Sequence, residues 1–132
     1  MIWFLRILFA VVLGSMLWVT SWASLQVSLF EIPREVGGHP WFIATLFDAY
    51  WGFFTFYVWL AYKENAWPHR ILWFVALVLL GNIAMAIYLL IQLFRVPADT
   101  RLSQILLRSD RLVSWTVPAG LIATLVLIAV LA

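Results

Sequence analysis

Four long apolar stretches dominate this chain and fix most of what it can become. They run over residues 2–22, 41–62, 71–94 and 112–131. Each matches the roughly 20 apolar residues, at about 1.5 Å of rise apiece, with which a helix crosses a bilayer. Segments such as 72–80 and 121–131 are apolar on every face. That pattern suits a helix in lipid and excludes a barrel strand, in which apolar and polar residues alternate. Composition agrees: 66% of the residues are hydrophobic and 11% charged, against roughly 45–50% and 25% in soluble domains. Too few polar side chains exist to cover a water-soluble monomer. The expected fold is all-α, an integral membrane four-helix bundle formed by a single transmembrane domain over residues 1–132.

The first stretch carries Arg6 ahead of its apolar run, as a leader peptide would. Its far end, Ser21-Trp22-Ala23-Ser24, makes a poor cleavage site with a tryptophan inside it, so a retained helix is expected. Residues 63–70 form a short connection, which makes the second and third helices antiparallel neighbours. Residues 95–111 hold Arg95, Arg101, Arg108 and Arg111. Within them Leu102, Ile105, Leu106 and Ser109 fall at helical spacing. This reads as a short amphipathic interfacial helix between helices 3 and 4, capped by Asp99, with Arg101, Arg108 and Arg111 on lipid headgroups. A solvated loop with one helical turn is the alternative. Four spans put Arg34, Arg95, Arg101, Arg108 and Arg111 on one side and Arg6, Lys63 and Arg70 on the other. The positive-inside count and the first helix then point to opposite orientations; the first helix favours both ends of the chain inside.

A carboxylate at the centre of a span costs about 2.5–3.5 kcal/mol on insertion scales, so Asp48 needs a reason. Counting helix rise places Ser15, Asp48 and Gly120 in one layer, with Asn82 one or two turns deeper. Thr45, Asp48, Gly52 and Thr55 share one stripe of the second helix. The expected intramembrane polar site is Asp48, Asn82, Ser15 and Thr45. It acts either as a proton or cation site or as a hydrogen-bonded contact between helices. Arg6 is expected to snorkel to headgroups, and Pro118 to kink the fourth helix and free the carbonyl of Ser114.

Several chemistries are set aside. With 0 Cys the chain has no disulfide, thiolate metal site or cysteine nucleophile. His39 and His69 flank opposite ends of the second helix and cannot share one haem or metal. Glu31, Glu35 and His39 have no metal-ligand spacing. No catalytic motif or phosphate-cradling loop is present. No enzymatic activity, cofactor or metal is expected, and a net charge of +2 does not point to nucleic acid. The nine tryptophans lie largely near helix ends, as interfacial belts do; a quinone or pigment would use the same rings.

Phe47-Asp48-Ala49-Tyr50-Trp51-Gly52-Phe53, Trp59-Leu60-Ala61-Tyr62-Lys63-Glu64 and Gly81-Asn82-Ile83-Ala84 resemble a family of small polytopic membrane proteins, domain of unknown function 1475, over about residues 1–95. The resemblance implies four helices and no established activity, and it points to Asp48, Lys63, Glu64 and Asn82 as positions of interest. The functional expectation is a non-enzymatic accessory or assembly subunit of a bacterial inner membrane. It would touch membrane lipids and pack against other membrane proteins or as a homo-oligomer. The alternative is a small oligomeric transporter or channel-like protein with Asp48 as its proton or cation site.

Overall fold

The computed structural model describes residues 1–27, 32–107 and 115–131, and among them it is all-α. Seven helices follow in order: α1 Ile2–Gln26, α2 Arg34–Gly37, α3 Pro40–Lys63, α4 Trp67–Leu80, α5 Asn82–Phe94, α6 Leu102–Leu107 and α7 Thr116–Leu131. The two long helices, α1 and α3, run through Gly14 and Gly52 without a break, and neither has a proline beyond its first position. Pro40 opens α3 at its first position, where a missing N–H costs nothing, and His39 Nδ1 accepts a hydrogen bond from the Trp41 amide at 3.3 Å. Of the described helices, α1 is the one long and apolar enough to cross a membrane by length and hydropathy. Its place near the N-terminus is also that of a signal sequence.

The stretch 71–94 is not one helix. Gly81 breaks it with φ +50° and ψ −122°, its N–H donating to the Leu77 carbonyl and its own carbonyl accepting from Met85. The chain then turns back. The Trp73 and Tyr88 rings meet edge to face with centroids 5.0 Å apart, and Tyr88 reaches Glu64, just before α4. A continuous helix would hold residues 64 and 88 about 36 Å apart. α4 and α5 are therefore an antiparallel hairpin with Gly81 at its tip. A side chain at Gly81 has no room: a Cβ would stand 2.6 Å from Phe53 Cζ. Sequence patterning misses this turn because both arms are apolar, and apolar runs look alike whether they continue or reverse.

Around the hairpin the other helices find their partners. α3 lies antiparallel to α4, with Tyr50 Oη donating to the Val78 carbonyl and Tyr57 Oη to that of Arg70, each at 3.2 Å. Leu60, Trp73, Ala76, Leu77, Ala84 and Tyr88 make the main core, which Val117, Leu121 and Ile122 of α7 cover. A smaller cluster of Ile2, Leu93 and Ile105 joins the starts of α1 and α6 to the end of α5. α7 begins at Thr116, so Pro118 lies in its first turn and no mid-helix kink forms there; Ser114 lies outside the described residues. α6 starts after Arg101, so Asp99 is too far back to cap it.

Arg6 also departs from expectation. It does not snorkel but is buried, donating to the carbonyls of Leu93 at 2.9 Å and Val96 at 2.8 Å. Its guanidinium lies 4.9 Å from the Trp3 ring centre and 4.8 Å from that of Phe94. A cation at the end of α5 meets the carbonyls that the helix leaves unpaired and the negative end of its dipole. Arg6→Met is expected to cost about 2–3 kcal/mol and to free the start of α1, read as detergent-solubilised unfolding. A change under about 0.5 kcal/mol, ordinary for surface positions, would contradict this role.

Candidate functional site

The anticipated polar layer is not assembled within the chain. Ser15 Oγ donates to Val12 and Thr45 Oγ1 to Trp41, each on its own helix, and both side chains are exposed. Asp48 and Asn82 are exposed too, and among the described residues neither bonds to the other or to Ser15 or Thr45. The reason is the break at Gly81, which puts Asn82 at the hairpin tip instead of mid-helix, while the stripe of α3 that carries Asp48 faces away from α4. Arg101 is exposed ahead of α6; Arg108, Ser109 and Arg111 lie outside the described residues.

The structure instead gathers polar groups at the open end of the hairpin, where α3 ends and α4 begins. Lys63 and Glu64, the last residue of α3 and its cap, are both buried. Lys63 Nζ donates to the Ile105 carbonyl of α6, and its ammonium sits 5.2 Å from the Trp59 ring centre. Trp59 Nε1 donates to the next carbonyl, Leu106, at 3.1 Å. The two side chains thus close the C-terminal turn of α6 onto α3.

Glu64 is fully buried. Its Oε1 accepts from Tyr88 Oη at 3.0 Å, and its Oε2 lies 3.6 Å from His69 Nδ1. Its backbone carbonyl accepts from Arg70 Nε at 2.6 Å, and Arg70 stacks on Trp67 at 5.4 Å. Burial raises the Glu64 carboxyl above its ordinary value, against the opposing pull of the Tyr88 hydrogen bond and the charges of His69 and Arg95. Glu64 Oε2, His69 Nδ1 and Trp73 Nε1 are buried without a hydrogen-bond partner among the described residues. Tyr88 is held by rings on three sides: Trp73 at 5.0 Å, Trp59 at 5.9 Å and Phe56 at 6.1 Å. The cluster can take up or release one proton, and it ties the α3–α4 connection to α5. With its carboxyl closed to solvent it offers no surface to a substrate.

This site draws on residues far apart in sequence. His69 and Arg70 are visible there only as charges beside a helix start, and Tyr88 as one more aromatic residue in an apolar run. Residues 1–113 match a family described as protein of unknown function DUF1475. The chain belongs to the DUF1475 family. The match runs past residue 95, so the arginine-containing stretch through α6 is part of this DUF1475 protein's family region. No curated protein and no solved structure matches the chain. Of the four positions that the family resemblance raises, the fold buries Lys63 and Glu64 at the open end of the hairpin and leaves Asp48 and Asn82 exposed.

Proposed function

We propose that this DUF1475 protein is an integral membrane protein of a bacterial inner membrane, without enzymatic activity, that works as an accessory or assembly subunit packed against other membrane proteins or against copies of itself. One observation carries the reading: Asp48 stands exposed on α3 as the one acidic or basic residue between Pro40 and Lys63. Leu46, Phe47, Tyr50, Trp51 and Phe54 line a shallow groove of about 270 Å³ on the opposite side of the same helix, so the Asp48 face is separate from it. In lipid an exposed carboxyl of this kind is costly, and such groups turn toward protein or water. A partner helix laid on the α3 stripe that carries Asp48 removes the cost. Further support comes from Trp3, Trp18, Trp22 and Trp41, all exposed near the ends of α1 and α3, where interfacial belts lie. α1 and α3 are the full-length spans of this reading, and α7, with 16 residues, packs on the hairpin beside them. The third apolar segment, 71–94, enters it as the α4–α5 hairpin, so the four-helix bundle becomes two full-length spans, a hairpin and α7.

The protein is expected to run in mild detergent well above its 15.2 kDa monomer mass. Asp48→Leu is expected to weaken the association about 3- to 20-fold, the range for interhelical polar contacts, and Asp48→Asn to keep most of it. A monomeric wild type that co-purifies with nothing, or an Asp48→Leu chain that associates as the wild type does, would end this proposal.

A second reading is favoured by a specific juxtaposition. Phe53 packs at Gly81, so Asp48 lies only about 8 Å further along α3 than the hairpin tip that carries Asn82. An oligomer that enclosed these two groups would hold a polar site past the tip, suited to a proton or cation. Proton flux into vesicles lost in Asp48→Asn would select that reading.

A further inference from the structure

We propose that the open end of the α4–α5 hairpin docks on the anionic phospholipid headgroups of one leaflet, and that the hairpin enters and leaves the membrane on that single face. The inference rests on the membrane reading above and adds a topology and a lipid class to it.

Length gives the first argument. α4 and α5 rise about 21 and 20 Å, against about 37 Å for α1 and 36 Å for α3. Arms of 14 and 13 residues fall short of a 30 Å hydrocarbon core and match the length expected of re-entrant segments. A turn at membrane depth survives only where protein covers it. Gly81 is buried against Phe53.

Charge gives the second. The Arg6–Leu93 bond brings the start of α1 to the open end. The Lys63–Ile105 bond brings α6 there, and Arg70 and Arg95 bracket the two arms. Arg6, Lys63, Arg70, Arg95 and Arg101 therefore share one end. Among the described residues, Arg34 is the one arginine or lysine at the other end, a whole α3 length away. The hairpin is what collects them: a straight third span would carry Arg95 and Arg101 across to the side of Arg34. Cations gathered on one side are the signature of the cytoplasmic face, whose leaflet is anionic.

The rings there give the third. Trp3, Tyr62, Trp67 and Phe94 are all more than half exposed at this end, and Arg6 and Arg70 lie over three of them. Exposed rings at a helix end fit the headgroup level, as interfacial belts do, with the Arg6 guanidinium itself held on the Leu93 and Val96 carbonyls. Arg95 and Arg101 are exposed at the same end.

The chain has 0 Cys, which makes cysteine accessibility a clean test. Single variants Asn65→Cys, Ala98→Cys and Gly38→Cys are to be probed in sealed inner-membrane vesicles and spheroplasts with an impermeant maleimide. Positions 65 and 98 are expected to label from the cytoplasmic face and position 38 from the opposite one. Labelling of 65 and 98 from opposite faces, in a chain that resists carbonate extraction, would overturn the hairpin topology and leave the membrane reading standing. Extraction by carbonate would overturn both. The lipid arm compares the wild type in nanodiscs of phosphatidylglycerol and of phosphatidylcholine. A higher thermal midpoint is expected in phosphatidylglycerol, and this gain should be lost in Arg95→Gln/Arg101→Gln and in high salt. Equal midpoints in the two lipids would overturn the anionic docking.

Discussion

Replacing Gly81 with alanine is expected to destabilise the protein by about 2–5 kcal/mol, the combined range for a strained backbone position and an overpacked core. Two effects act together. A φ of +50° with ψ of −122° is a conformation that side-chain-bearing residues rarely adopt. The new methyl would also stand 2.6 Å from Phe53 Cζ and 3.0 Å from its Cε2. The sign separates two architectures. If 71–94 were one continuous helix, Gly81→Ala would stabilise it by about 1 kcal/mol, the usual difference between the two residues in a helix interior. A hairpin demands a loss. Gly14→Ala is the control, since a Cβ there meets nothing within 4 Å, and it is expected to hold or raise stability. Adding Phe53→Ala to Gly81→Ala should restore only the steric part. Unfolding of the purified variants in mild detergent reads all of these, and a stabilising Gly81→Ala would refute the turn.

The second large effect is on pH dependence. Glu64 is held fully buried with its carboxyl raised above the ordinary value of 4.5. In the window between those two values the folded chain keeps a proton that the unfolded chain has lost. The stability that Glu64 contributes is therefore complete below about pH 4.5, falls as pH rises through the raised value, and then levels off. The groups that face it are Tyr88 and Arg95 from α5 and its end, and His69 from α4; the positive ones limit the rise without abolishing it. Glu64→Gln removes the titration and keeps an oxygen for Tyr88 Oη. It is expected to flatten this part of the profile and to raise the thermal midpoint near neutral pH. Tyr88→Phe leaves Oε1 without its donor, at a cost of about 1–3 kcal/mol, and should extend the falling limb to higher pH. Since other carboxylates titrate nearby, the readout is the difference between wild type and Glu64→Gln across pH 4–8. A Glu64→Gln profile parallel to the wild type would remove this carboxyl as the cause.

How much of this could be read from residues alone varies by element. The apolar runs announced helices, and Pro40 marked the start of α3 at the residue where it begins. A short helix after the third run was legible in the spacing of Leu102 and Ile105, and it forms over Leu102–Leu107 with Ile105 buried. The third run misled. Gly81 looked like a small packing residue beside Ala84, because nothing in an apolar sequence distinguishes a glycine that lets helices approach from one that lets the chain reverse. That one residue also displaced Asn82 from the polar layer and moved Arg95 from one end of the molecule to the other.

Amino-acid order alone settled that this chain is helical, that its surface is apolar, and that few charges sit among long hydrophobic runs. These are local properties, decided by hydropathy, by periodicity and by where proline can be tolerated. Which residues meet was decided only by tertiary structure. Glu64 with Tyr88 and Arg6 with Leu93 span 24 and 87 positions, and each pair exists because the backbone turns back at a single glycine. A reversal costs the sequence one residue and leaves no mark on its periodicity, yet it determines every contact between the arms that follow.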